Sequence, residues 1–166
     1  MKIFLLLAII LIAGCNQNIE GGNMKLTSPS FQNNGMLPSK FTCDENNINP
    51  ELQIQEIPKN AKSLALIMDD PDAPAGTWVH WVVWNIPIIN IIKEDSIPGK
   101  EGITSFRTKS YGGPCPPSGT HRYFFKLFAL DTSLNLSDST TAKDLENAMK
   151  GHILDKTELI GRYSRK

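Results

Sequence analysis

The sequence predicts a mostly β domain of two packed antiparallel sheets, with one late helix near the C-terminus. Three observations carry that expectation. Apolar residues come in short β-branched and aromatic runs, of which Trp78 to Ile86 (WVHWVVWNI) and His121 to Asp131 (HRYFFKLFALD) are the strongest. The connections between runs are rich in Pro, Gly and Asn, as at Pro98-Gly99, Gly112-Gly113-Pro114 and Pro116-Pro117. Only one stretch, after Thr141, combines a helix-start signal with helical spacing of apolar residues. The length of 166 residues suits one domain with a real core and is short for two.

Taken in order, residues 1–14 read as a signal segment rather than as part of the fold. Ile3 to Ala13 is an unbroken apolar run after Lys2, too short for a stable bilayer span. It ends in Ala13-Gly14-Cys15, which resembles the bacterial lipobox, so Cys15 is expected to carry lipid after cleavage. A plain signal peptide or a short anchor is the alternative. Residues 15–23 then form a polar tether, and residues 24–166 the domain. The expected location is the cell envelope: lipid-anchored on the outer side of the cytoplasmic membrane, or in the periplasm or outer membrane.

Within the domain, Met24 to Phe31 reads as a short strand interrupted by Pro29. A short alternating piece follows near Leu52 and Ile54. Ser63 to Met68 (SLALIM) is a buried strand ending at an acidic turn, and Trp78 to Ile86 and His121 to Asp131 are the two principal strands. Thr141-Ala142-Lys143-Asp144 resembles a capping box, with Leu145, Ala148, Met149 and His152 on one helix face. The final segment, from Glu158, reads as a last short strand.

Charge excludes some partners. Lys plus Arg and Asp plus Glu number 17 each; removing residues 1–14 leaves 16 basic and 17 acidic side chains. Without a basic excess, neither nucleic acid nor a polybasic contact with anionic lipid is expected. Cys43 and Cys115 remain after Cys15. Their spacing leaves a disulfide and a buried free pair both open, and there is no CxxC or Cys/His zinc spacing. No cofactor and no structural metal are expected.

Polar groups gather where strands begin. Period-two alternation places Trp78, His80, Val82 and Trp84 on one face and Val79, Trp81 and Val83 on the other. His121 and Tyr123 share a face about 6–7 Å apart, opposite Arg122. The prolines of Asp70-Pro71-Asp72-Ala73-Pro74 push their preceding residues toward extended conformations, so Asp70 and Asp72 are expected to project together and orient the imidazoles. Such a group can bind a phosphate or carboxylate, support acid–base catalysis or hold a metal. Each feature alone also fits a blander reading: a packed core histidine, a solvated acidic turn.

DPDAP, the strand carrying His80, and YGGPCPPSGTHRY (Tyr111 to Tyr123) together resemble the phosphatidylethanolamine-binding protein family, in its prokaryotic Raf kinase inhibitor-like branch. FTCDENNINPEL and GHILDKTELIGRYSR fit the same branch, so the resemblance runs from about Met24 to Arg165. It implies a sandwich of two sheets with a small anion pocket. Asp70, Asp72 and His80 would form one wall, His121 and Tyr123 another, and the backbone of Gly113-Pro114-Cys115-Pro116 would surround the anion. Arg122 would be a structural partner of the acidic turn. Departures from the eukaryotic pattern are a shorter segment between Pro117 and His121, Cys115 where glycine is usual, and an expected lack of the extra C-terminal helix.

The leading expectation is a membrane-tethered module binding an anion or phosphate head group, with a regulatory or inhibitor role toward an unidentified protein partner. Its ligand would be a small anion or a phospholipid head group. The alternative is a hydrolase with His121 or His80 as base and Cys115 as nucleophile. A metal site of Asp70, His80 and His121 is a further option.

Overall fold

A computed structural model describes residues 23–165. The expected signal segment (residues 1–14), Cys15 and nearly all of the tether therefore lie outside the described residues. Nine strands, one α-helix and a short 3-10 helix (Ser39–Phe41) occur among them: β1 (Lys25–Thr27), β2 (Gly35–Met36), β3 (Leu52–Gln55), β4 (Ser63–Asp70), β5 (Trp78–Ile86), β6 (Ile91–Ile92), β7 (Lys100–Glu101), β8 (His121–Leu130), α1 (Ala142–Met149) and β9 (Ile153–Tyr163). They form a three-stranded sheet in the order β1-β3-β6 and a six-stranded sheet in the order β2-β9-β8-β4-β5-β7. All pairings are antiparallel except β2 with β9, which is parallel.

Strand β4 explains the layering. Every one of its residues is buried, which a strand achieves only when both sheet faces are covered. Leu64, Leu66 and Met68 join Leu26, Leu52, Ile54 and Ile92 of the small sheet in the main core. Ala65 and Ile67 face the other way and meet Val82, Trp84, Leu145 and Met149, so α1 covers the second face. The helix starts as the capping box implies. Asp144 N–H donates to Thr141 Oγ1 (3.3 Å) and Thr141 N–H to Asp144 Oδ2 (3.0 Å), which stabilises the helix start by about 1 kcal/mol.

Four local readings change. The helix ends at Met149, so His152 leaves its apolar face and pairs with Asp131 at the surface (2.8 Å). The last strand begins at Ile153 and runs 11 residues, because polar Lys156 and Glu158 alternate with half-buried and buried neighbours along β8. Asp69 and Asp70 belong to β4 itself rather than to the turn after it.

The fourth change concerns β5, where simple alternation fails twice. Leu64 pairs with Ile86 and Leu66 with Val83, so three steps on β5 oppose two on β4. Asn85 absorbs that irregularity at φ 52°, and its amide exchanges two 2.8 Å hydrogen bonds with the backbone of Leu134. Nearer the strand's start, Met68 pairs with Trp81 but Asp69 with Val79, leaving His80 as an extra residue. The bulge parts Trp78 and His80 from the face of Val82 and Trp84. Val82 and Trp84 stay in the helix-side cluster with Val79 packed on it, while Trp81 and Val83 lie in the main core.

Cys43 and Cys115 are joined by a disulfide across 72 positions of sequence, with Cα atoms 5.5 Å apart. A cross-link closing so long a loop restricts the unfolded chain strongly. Replacing both cysteines (Cys43→Ser with Cys115→Ser) is expected to lower stability by about 2–4 kcal/mol, read as a lower urea midpoint with a steeper slope, because the released unfolded chain exposes more surface.

Candidate functional site

The bulge determines where His80 points. Its ring stands edge-on to Tyr123 (centroids 5.2 Å apart, 87°) and to Phe106 (5.3 Å, 74°). His80 Nδ1–H donates to Gly112 O at 2.6 Å, since a carbonyl oxygen only accepts. Gly112 N–H returns a bond to His80 O at 2.9 Å. The ring is thus tied to the 111–117 strap through Nδ1.

His121 opens β8 and is tied in the same way. Its Nδ1–H donates to Asp70 Oδ2 at 2.7 Å, with both side chains nearly buried. The other Asp70 oxygen accepts the Asp72 N–H at 2.8 Å, an Asx-type turn that fixes the carboxylate as β4 ends. Period two along β8 then separates the two acids. Inward His121 meets Asp70, while outward Arg122 meets Asp72. Arg122 binds Asp72 through Nε (2.8 Å), Nη2 (2.6 Å) and its own backbone N–H (3.0 Å). That fork holds the Asp72 carboxyl down at about 2. Asp72 therefore orients no imidazole, and His80 is held by a carbonyl rather than by either carboxylate.

Asp69 is buried on the opposite face and accepts from Lys126 Nζ at 2.6 Å. Tyr123 lies fully buried beneath His80, and its hydroxyl has no hydrogen-bond partner among the described residues. Burial, then the charge of Asp70, pushes its phenol up, so it stays protonated.

The strap is held against the Phe41–Asn47 loop. Tyr111 Oη donates to Phe41 O (2.9 Å), Gly113 N–H to Asn47 Oδ1 (2.7 Å), and Cys43 N–H to Pro114 O (3.1 Å). Gly113 is required by proximity: a Cβ there would lie 2.5 Å from both Phe41 O and Asn47 Oδ1. The disulfide completes the attachment. With its sulfur bonded to Cys43, Cys115 offers no thiolate, which removes the nucleophile of the hydrolase reading.

These elements enclose an open cavity of about 440 Å³. Asp70, His80 and His121 supply its polar groups. Trp78, Phe106, Ala73, Pro74, Ala75, Cys115, Pro116 and Pro117 supply the rest of the lining. Of the residues expected at the site, Asp70, His80, Cys115, Pro116 and His121 line the cavity. Asp72, Gly113 and Tyr123 support it from behind. Trp78 and Phe106 were not anticipated; the signal for Phe106 was a single aromatic residue in the polar run SFRTKS. Among the described residues, no group of three or more His, Cys, Asp or Glu side chains is gathered to hold a metal ion.

Burial pushes the His80 imidazole below its ordinary value, against the opposing pull of the Gly112 carbonyl and the charges of Asp70 and Asp69. His80 is therefore neutral at neutral pH, with a lone pair on Nε2.

Comparison with known proteins places this architecture. The family model described as phosphatidylethanolamine-binding protein matches residues 27–164. A UPF0098 protein of Methanothermobacter thermautotrophicus is 46% identical over 150 residues, covering 86% of this chain and 99% of that one. The crystal structure of a phosphatidylethanolamine-binding protein homologue from Chlamydia trachomatis superposes with a TM-score of 0.84 at 37% identity, covering 86% of this chain and 98% of that one. Escherichia coli YbcL, described as a new member of the mammalian family, gives 0.79 at 27% identity, covering 86% and 99%.

Two titrations test the site's electrostatics. His80 is expected to titrate below 6.5 by NMR. Because the unfolded chain then binds that proton more readily, stability should fall as pH drops below 6.5 toward the folded value. Asp72 is expected to titrate near 2, and Arg122→Met should return it toward 3.8. The contribution of Asp72 is present above 3.8 and is lost as pH falls through about 2.

Proposed function

The chain belongs to the phosphatidylethanolamine-binding protein family, and from that premise we propose that its cavity binds a small anion, a phosphate or carboxylate group, on a module tethered to the membrane through lipidated Cys15. The family has a ligand-binding fold, which supports a binding or regulatory module. One observation carries the anion reading: both imidazoles of the cavity have Nδ1 occupied, by Gly112 O and Asp70 Oδ2, so both have Nε2 available. Two fixed rings, once protonated on Nε2, form a pair of charge-assisted donors.

Binding is then coupled to proton uptake. A neutral His80 offers an anion a lone pair, whereas a protonated His80 offers it an N–H. Asp70 accepts from His121 Nδ1–H, which fixes the orientation of that ring while leaving the ligand side open. Trp78, Phe106 and the prolines limit water around the donors, which strengthens each hydrogen bond. A regulatory or inhibitor role would use this pocket together with the surface around its mouth.

Sulfate is the suitable first probe, since its charge is constant from pH 5 to 8. Calorimetry on the full-length chain should show tighter binding as pH falls, with protons taken up. His80→Ala combined with His121→Ala should weaken it by about tenfold to a hundredfold. Affinity independent of pH, and equal in the double variant, would refute the proposal. The tether is tested separately: full-length protein expressed in bacteria should carry a lipid on Cys15 by mass spectrometry and enter the detergent phase. Cys15→Ser should leave it in the aqueous phase.

A further inference from the structure

Phe106 is 41% exposed and stands among Ser105, Arg107, Thr108 and Lys109, yet it is firmly held. Ser105 N–H donates to Val79 O and Val79 N–H to Ser105 Oγ, both at 2.9 Å, which joins the loop to β5 beside the bulge. The turn closes through Thr104 N–H to Thr108 O and Arg107 N–H to Thr104 O, both 2.9 Å, with Arg107 at φ 64°. The ring stands edge-on to Trp78 (5.5 Å, 77°) as well as to His80. On its other side the ring touches the strap at Gly112, where a Cβ would lie 2.5 Å from Phe106 Cε2. Phe106 is therefore a fixed wall of the cavity.

The cavity is also larger than its polar floor requires. A volume of about 440 Å³ is in the range that accommodates small organic molecules, and a bare tetrahedral anion would leave most of it empty. The polar groups occupy the floor, and the remaining walls are apolar: Trp78, Phe106, Pro74 and Pro116. Aromatic rings favour another aromatic ring, stacked with an offset or meeting edge to face, over a saturated ring of equal size.

We propose that Phe106 is the specificity-determining residue of this cavity: with Trp78, it selects anions carrying a flat apolar substituent, such as an aryl phosphate, over bare inorganic anions. The inference rests on the anion-binding reading and names the class of ligand that the same site prefers. The anionic group sits on His80 and His121, and the flat substituent lies against Phe106 and Trp78.

Calorimetry at one fixed pH on the full-length chain, with inorganic phosphate, phenyl phosphate and cyclohexyl phosphate, tests this. Phenyl phosphate should bind about three- to tenfold tighter than inorganic phosphate, and tighter than cyclohexyl phosphate. Phe106→Ala should bring phenyl phosphate to the level of inorganic phosphate measured on the same variant, so that the ratio of the two affinities falls to about one. Phe106→Leu, which keeps apolar bulk without a flat face, should make the two organic phosphates equal. The inference is overturned if the wild type binds inorganic phosphate and binds phenyl phosphate no tighter, or if the preference survives Phe106→Ala. Failure of all three probes to bind the wild type would overturn the anion-binding reading itself, and this inference with it.

Discussion

The extra residue in β5 is the constraint on which the rest of the site depends. One step along β4, from Met68 to Asp69, opposes two along β5, from Trp81 to Val79, and His80 is the residue left over. With regular alternation, His80 would point with Val82 and Trp84 into the helix-side core, as a packed residue. The bulge instead puts its ring on Tyr123, beside the Asp70–His121 pair, and presents its carbonyl to the strap. Bulges recur where a strand must redirect one side chain without ending the sheet. Here Trp81, Val83 and Trp84, all fully buried, anchor the strand just beyond the bulge, so the redirected ring rests on a rigid base.

Around this ring each of three carboxylates pairs with a different side chain. Asp70 serves His121, Asp72 serves Arg122, and Asp69 serves Lys126 on the far face. The carboxylates therefore do not crowd the cavity with negative charge. The strap adds a carbonyl for His80, and its disulfide and three hydrogen bonds attach it to the Phe41–Asn47 loop. The result is a preorganised site with two available imidazole nitrogens and little else that is polar. A neutral His80 makes proton uptake part of the proposed binding.

Much of the fold was legible in the sequence because local chemistry and tertiary structure agree there. WVHWVVWNI forms a strand with the bounds read from it, β8 alternates as its pattern states, and the Thr141 capping box starts the helix. The family resemblance rests on motifs that span the chain, and the β-rich fold agrees with it. What could not be read was the residue-level geometry. A bulge leaves no trace in a run of Trp, Val and His, because either face accepts such residues. The partner of Asp69 depends on register with β8, which period two within a single strand does not supply. The length of β9 was hidden because its polar residues line an exposed sheet face. Phe106 was passed over because it belongs to no strand or motif; only the folded loop brings it to His80.

The central claim is that His80 and His121 share one cavity with Nε2 available on both rings and Nδ1 engaged on both. Nitrogen-15 NMR of the imidazole rings at neutral pH, with and without sulfate, examines that claim directly. The account predicts that in the ligand-free protein His80 carries its proton on Nδ1, and that sulfate brings a proton to its Nε2 while also shifting Nε2 of His121. Exposed His152 should be unaffected. A ligand-free His80 protonated on Nε2, or sulfate shifts at only one of the two cavity rings, would contradict it.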